Sequence, residues 1–305
     1  MNKADMIYDL SSLWAAVKEV FPYFDRLPFD WDEQYRVYLD KILSTDSEAD
    51  FHRLLSAFME SLNDGHTKYI PPERYRDAKP FVPPEAPSFS MRDGVLTIKL
   101  NDFLTDHSPY VRTLLEENPD ASLVMLDIRD NVGGNTAYAA NVAKLFISGV
   151  FHGCRKWTQV RKAVDAASSS QLACCSRERI RQYLKDGLIK EEELADAGKD
   201  MRRTKYELYT DSHGSKDNEA VYNGPVRLLI SRRTMSAAED FTAMFKSNHR
   251  ATLVGEPTCG STGTPYMIAL RCGGRAQVVS VGYSLLDGTE FIGKGILPDV
   301  PDKTE

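Results

Sequence analysis

Apolar residues recur every three or four positions through the N-terminal part of the chain, then give way to short β-branched runs divided by glycine turns. Leu10, Leu13, Trp14, Val17 and Val20 form one helical stripe that ends at Phe21-Pro22. Asp30-Trp31-Asp32-Glu33 opens a second helix carrying Tyr35, Tyr38, Leu39 and Ile42. Thr45-Asp46-Ser47-Glu48 reads as a capping box for a third helix, with Phe51, Leu54, Leu55 and Phe58 facing inward. Thr67, Tyr69 and Ile70 favour a strand, and a proline-rich connector from Pro71-Pro72 to Pro87 leads to another at 95–100. A helix is predicted over 110–117, then a continuous apolar strand over 122–129 of the kind buried on both faces. The turn Asp130-Asn131-Val132-Gly133-Gly134-Asn135 follows, and Ala139, Val142, Ala143, Leu145 and Phe146 resume a helical stripe.

From about 150 to 222 the texture changes. Strand-like 156–160 and 205–209 flank a polar, alanine-rich stretch, 168–199, that predicts one or two amphipathic helices with an acidic patch at Glu191-Glu192-Glu193. We read this segment as an insertion or lid. The pattern then returns to a buried strand at 226–231, a helix bearing Phe241, Met244 and Phe245 on one face, a strand at 251–256, a turn at 258–263 and a hairpin through Gly273-Gly274. The predicted organisation is an α/β protein with an N-terminal helical domain (1–66), a proline-rich connector (67–88) and a core (89–305) that carries a helical insertion at about 150–222.

Composition narrows the function only by exclusion. The 305 residues carry a net charge of −6, which suits neither a nucleic-acid surface nor a membrane surface. No apolar run reaches the length of a membrane span, and Met1-Asn2-Lys3-Ala4-Asp5 has no apolar signal core behind it. That points to a cytoplasmic protein, or to a secreted one whose signal has been removed. Five scattered cysteines (Cys154, Cys174, Cys175, Cys259, Cys272) have no zinc spacing and read as reduced thiols. No metal or organic cofactor is expected.

Candidate chemistry lies in three stretches. Ser236 sits where the 226–231 strand turns into a helix, so its hydroxyl can leave the edge of a sheet beside the unpaired N–H groups of a first helical turn. The plainer reading is a capping box made with Glu239, because serine is favoured at N-caps. His66 follows the turn Asn63-Asp64-Gly65, whose glycine lets other groups approach closely. Gly133 and Gly134 can turn backbone N–H groups toward a ligand; neither dinucleotide nor P-loop spacing is present.

Leu-Asn-Asp-Gly-His-Thr at 62–67, Leu-Asp-Ile-Arg-Asp-Asn-Val-Gly-Gly at 126–134, Ser-Ala-Ala-Glu at 236–239, Val-Gly-Glu-Pro-Thr-Cys-Gly at 254–260 and Gly-Ile-Leu-Pro-Asp at 295–299 together resemble the S41 peptidases. That family includes the C-terminal processing (tail-specific) proteases and the tricorn core protease. The resemblance implies a crotonase/ClpP-like core of stacked β-β-α units and hydrolysis of a peptide or unfolded protein through an acyl-enzyme on Ser236. Two departures stand out. The short connector leaves no room for the PDZ domain usual in processing proteases. The lysine of the Ser/Lys branch is replaced by Ser261, and Lys294 belongs to the terminal Pro-Asp motif. The resemblance then implies a histidine base, His66, as in the tricorn-like branch. The tricorn-like glutamate position is Ile292 here, so the third member is expected to be Glu290, with Asp287 in reserve. The oxyanion hole is expected from Ala237 N–H with Gly133 or Gly134 N–H. Asp127 and Arg129 are expected to form a structural ion pair. The rival readings are a non-catalytic binder of hydrophobic ligands or peptides on the same fold, and an acyl-CoA enzyme of crotonase type.

Overall fold

The structure is a computed structural model; it describes residues 1–73, 83–161, 181–182, 184–185 and 204–302. The chain divides into two compact units, Met1–Trp157 with Leu208–Glu305, and Thr158–Glu207. The predicted helices at 168–199 fall almost wholly outside the described residues.

Three N-terminal helices form where the stripes place them: α1 (Lys3–Val20), α2 (Trp31–Leu43) and α3 (Glu48–Glu60). Asp30 caps α2 by accepting from Asp32 and Glu33 N–H. The cap of α3 is Ser47, which accepts from Asp50 N–H; Thr45 accepts from Ser47 N–H instead of closing a box with Glu48. The inward faces meet around Leu10, Leu13, Ile42, Phe51 and Leu55, with Trp31 stacked on Phe58 at 4.4 Å. This core continues onto the hairpin β9 (Pro265–Ala269) and β10 (Arg275–Val279), to which β1 (Lys68–Ile70) adds antiparallel, so the helices do not stand apart from the later strands. The buried Asp9 carboxylate ties α1 to the hairpin turn by accepting from Arg271 N–H (2.8 Å) and Cys272 N–H (2.9 Å). We expect Asp9→Ala to destabilise the protein by about 1–3 kcal/mol, since it removes the shared acceptor of two part-buried amide donors; an unchanged denaturant midpoint would refute the tie.

The second core is built on a six-stranded sheet. It comprises β2 (Ser88–Arg92), β3 (Val95–Lys99), β4 (Leu123–Asp127), β7 (Val226–Ile230), β8 (Thr252–Gly255) and β12 (Val300–Pro301), in the order β12-β8-β7-β4-β3-β2. All neighbours are parallel except the β2–β3 hairpin. The helices α4 (Ser108–Glu117), α5 (Thr136–Ala143) and α6 (Ala237–Ser247) supply Leu114, Val142, Phe241 and Phe245 to the core of this sheet. A separate sheet runs β11 (Val281–Ser284), β5 (Val150–Arg161), β6 (Thr204–Gly214). Because β4 and β7 are adjacent and parallel, with Asp127 opposite Leu229, the turns that follow them leave the sheet at the same edge. Open parallel sheets bind ligands at the carboxyl ends of their strands. The turns in question are Asp130–Asn135, which carries Gly133 and Gly134, and Ser231–Met235, which leads into Ser236.

Candidate active site

Three bonds stitch these turns together. Ser231 Oγ donates to Arg129 O (2.6 Å), Thr234 Oγ1 to Ile128 O (2.9 Å) and Met235 N–H to Asn131 O (3.1 Å). Arg129 grips Asp127 through two nitrogens at 2.8 and 3.0 Å, the structural pair expected. Ser236 then enters α6 as its N-cap residue with φ +58° and ψ −128°. A non-glycine residue rarely takes positive φ, and such strain costs on the order of 1–3 kcal/mol. The capping-box reading fails here. The Ser236 side chain makes no cap bond, its N–H donates to Ser261 O (2.9 Å), and the Glu239 carboxylate is engaged elsewhere. Serine is thus held in an N-cap position, in a strained conformation, without the hydrogen bond that usually favours it there.

Gly133 lies against the same residue. A Cβ on it would stand 2.6 Å from Ser236 Cβ and 3.0 Å from Ala237 N. Its own N–H donates to Asn131 Oδ1 (2.9 Å), and its φ is +98°. Gly134, at φ +143°, packs on the backbone of Phe103, and its N–H meets no acceptor among the described residues. Ala237 opens the helix, so its N–H is one of the first-turn donors without an intrahelical partner. Of the two glycines, then, Gly133 has its amide occupied and Gly134 does not.

His66 is delivered by the turn after α3. Asn63 takes positive φ (+49°), Asp64 Oδ1 accepts from His66 N–H (3.0 Å), and Gln277 Nε2 of β10 donates to His66 O (2.7 Å). The imidazole Nδ1 lies 2.6 Å from Ser261 Oγ. Gly65 permits this approach, since a Cβ there would stand 2.3 Å from that oxygen. Burial lowers the His66 pKa below its usual range and Lys68 adds to the effect; the negative charges of Asp64 and Asp240 oppose it without reversing it.

Ser261 belongs to the turn predicted at 258–263. It is held from below by Glu239, which has no exposed surface. Glu239 Oε1 accepts from Thr258 Oγ1 (2.6 Å) and Gly260 N–H (2.7 Å), and Oε2 accepts from Ser261 N–H (2.7 Å). Burial pushes the Glu239 pKa up to about 7 in spite of these three donors. The next residue, Asp240, is buried as well, accepts from Thr136 Oγ1 (2.6 Å) and Thr262 Oγ1 (3.1 Å), and is also shifted upward by burial. The sequence marks Ser261 only as the residue standing in place of the Ser/Lys-branch lysine and Glu239 only as a capping partner, and it gives Asp240 no role. The available signal was two adjacent acids at the start of a helix whose following residues are all core-forming.

The structure therefore gathers Ser236, Ala237 and Gly133 at one point and joins His66 to it through Ser261. Glu290 stands elsewhere in its bonding: its Oε1 accepts from Arg26 Nη2 (2.6 Å), and the side chains are 45% and 42% exposed. Asp287 accepts from Thr289 N–H (2.8 Å) and is exposed. Lys294 is exposed, as expected. Among the described residues no group of three or more His, Cys, Asp or Glu could hold a metal ion, and no helix is long and apolar enough to cross a membrane.

Solved structures share this architecture. A protein described as a peptidase from Parabacteroides merdae ATCC 43184 is 17% identical, with 99% of this chain and 90% of that one covered at a TM-score of 0.69. Mature CPAF complexed with lactacystin is 13% identical over 98% of this chain and 94% of that one, at 0.67. The photosystem II D1 C-terminal processing protease is 13% identical over 98% and 93%, at 0.58. At such identities the likeness is one of fold. No protein with a curated description matches. The sequence profile of peptidase family S41 matches residues 94–301, more than half of the chain and including Ser236, both glycines and the 258–263 turn, and the chain therefore belongs to peptidase family S41.

Proposed function

We propose that the protein is a serine peptidase in which Ser236 is the nucleophile and His66 the general base. The observation that carries this reading is the state of Ser236: strained, at the mouth of a helix, released from capping, and tied by its own N–H to the residue that bonds His66. Family membership supports the reaction class. The β2–β3–α4 succession supports reading the core as crotonase-like, built of β-β-α units.

The chemistry follows from these groups. Serine attacks a peptide carbonyl only when a base takes its proton, and a neutral imidazole does so near pH 7. In the first step the Ser236 Oγ–C bond forms, the proton passes to His66, and the carbonyl oxygen gathers charge. The Ala237 N–H, at the positive end of α6, and the free N–H of Gly134 are the proposed donors to that oxygen. Collapse breaks the C–N bond, and the amine leaves with the proton from His66. Water, deprotonated in turn by His66, attacks the ester carbonyl; the Ser236 Oγ–C bond breaks, the acid leaves, and His66 returns the proton to Ser236 Oγ. The substrate is a peptide or an unfolded protein segment.

The lowered His66 pKa sets the pH dependence. The base is competent when neutral, so kcat/KM should rise through a titration below about 6.5 and then level. Initial rates on a quenched-fluorescent peptide library from pH 4.5 to 10 would test it. A rise that continues toward pH 10 would mean a lysine base and would refute the role given to His66.

A further inference from the structure

Ser261 uses all three of its polar groups at the site. Its hydroxyl lies 2.6 Å from His66 Nδ1, its carbonyl accepts from the N–H of Ser236 (2.9 Å), and its N–H donates to Glu239 (2.7 Å). Glu239 stands three residues after Ser236 on the same helix, so the element that presents the nucleophile also clamps the loop that meets the base. The residue is only 6% exposed, and the missing Cβ of Gly65 makes room for its hydroxyl.

We infer that Ser261 is the positioning residue for His66, fixing the imidazole by a hydroxyl contact at Nδ1 in the place where a triad carboxylate would stand. The inference rests on the serine-peptidase reading above. A neutral imidazole carries one ring proton, and only the other nitrogen can act as a base. With the proton on Nδ1 donated to Ser261 Oγ, Nε2 is left unprotonated to receive the Ser236 proton. The hydroxyl is neutral, so it orients the ring and accepts from the imidazolium without supplying a negative charge. Glu239 acts through the backbone, holding Ser261 N–H and Gly260 N–H so that the hydroxyl cannot drift.

The test pairs kinetics with the state of the ring. Ser261→Ala keeps the backbone bonds to Ser236 and Glu239 and removes only the hydroxyl. It should lower kcat roughly 10²-fold or more with a much smaller change in KM, and Ser261→Thr should restore most of the loss. Nitrogen chemical shifts of His66 in ¹⁵N-histidine protein should show the Nδ1–H tautomer in the wild type and in the inactive Ser236→Ala variant, and a mixture or the Nε2–H form in Ser261→Ala. Wild-type kcat together with an unchanged tautomer in a folded Ser261→Ala protein would overturn the inference while leaving Ser236 and His66 as catalytic residues. Hydrolysis that survives Ser236→Ala would instead remove the reading beneath it, and the tautomer measurement would still decide whether Ser261 fixes the ring.

Discussion

Replacing Ser236 by alanine should abolish peptide hydrolysis, lowering kcat by roughly 10⁴-fold or more while leaving the fold intact. The size follows from the proposed role, since covalent catalysis has no substitute once the nucleophile is gone. The fold should tolerate the change because the Ser236 side chain makes no cap bond, so the helix loses nothing by its removal. Alanine still needs φ near +58°, so the strain remains and stability should move by less than about 1 kcal/mol. His66→Ala should cost a similar amount of rate, and the double variant little more, since base and nucleophile act as one unit. Steady-state kinetics on the four proteins measures this. Multiplicative losses would show that the two residues act independently.

The largest effect on stability should come from Glu239. Glu239→Ala leaves Thr258 Oγ1, Gly260 N–H and Ser261 N–H without their acceptor in a site closed to water. At about 1–3 kcal/mol for each buried unsatisfied group, a loss of about 3 kcal/mol or more is expected, with activity falling as the 258–261 turn loosens. Glu239→Gln adds a pH signature. The folded pKa of about 7 lies above the ordinary glutamate value, so the folded state binds more protons than the unfolded one between about pH 4.5 and 7. Stability contributed by this group is therefore present at low pH and falls as pH rises through 7. The wild type should exceed Glu239→Gln by more at pH 5 than at pH 8, and denaturant unfolding at the two values would show it. A constant difference would mean that Glu239 does not titrate in the folded protein.

How far the sequence reached depends on the range of the interaction. The N-terminal helices were legible because their signal is local: stripes at helical spacing and the cap at Asp30. The strands at 122–129 and 226–231 were legible because burial on both faces demands continuous apolar runs. The strand β2 was missed since every residue in it is exposed and no core-facing alternation marks it, although Asp93-Gly94, both at positive φ, is a two-residue hairpin turn in plain view. Likewise the glutamate at 239 invited a capping box, and only the fold reveals that the 258–261 turn claims its carboxylate. Ser236 and His66 could be named because each carries a recognisable neighbourhood of turn residues. Ser261 could be placed only as the residue standing where the resemblance has a lysine, since its contact with His66 spans 195 residues and nothing local announces it. Glu290 shows the same limit: strand spacing placed it near the terminal motif, and the structure gives its carboxylate to Arg26.

As the proposed nucleophile, Ser236 should itself be open to covalent capture. A serine-directed fluorophosphonate, followed by digestion and mass spectrometry of the labelled peptide, reads this without knowledge of the natural substrate. A single adduct on Ser236 is expected, formed slowly in His66→Ala and absent in Ser236→Ala. Labelling at another serine with Ser236 unmodified, or a natively folded protein that takes no label between pH 5 and 9, would contradict it and favour a binding role for this fold.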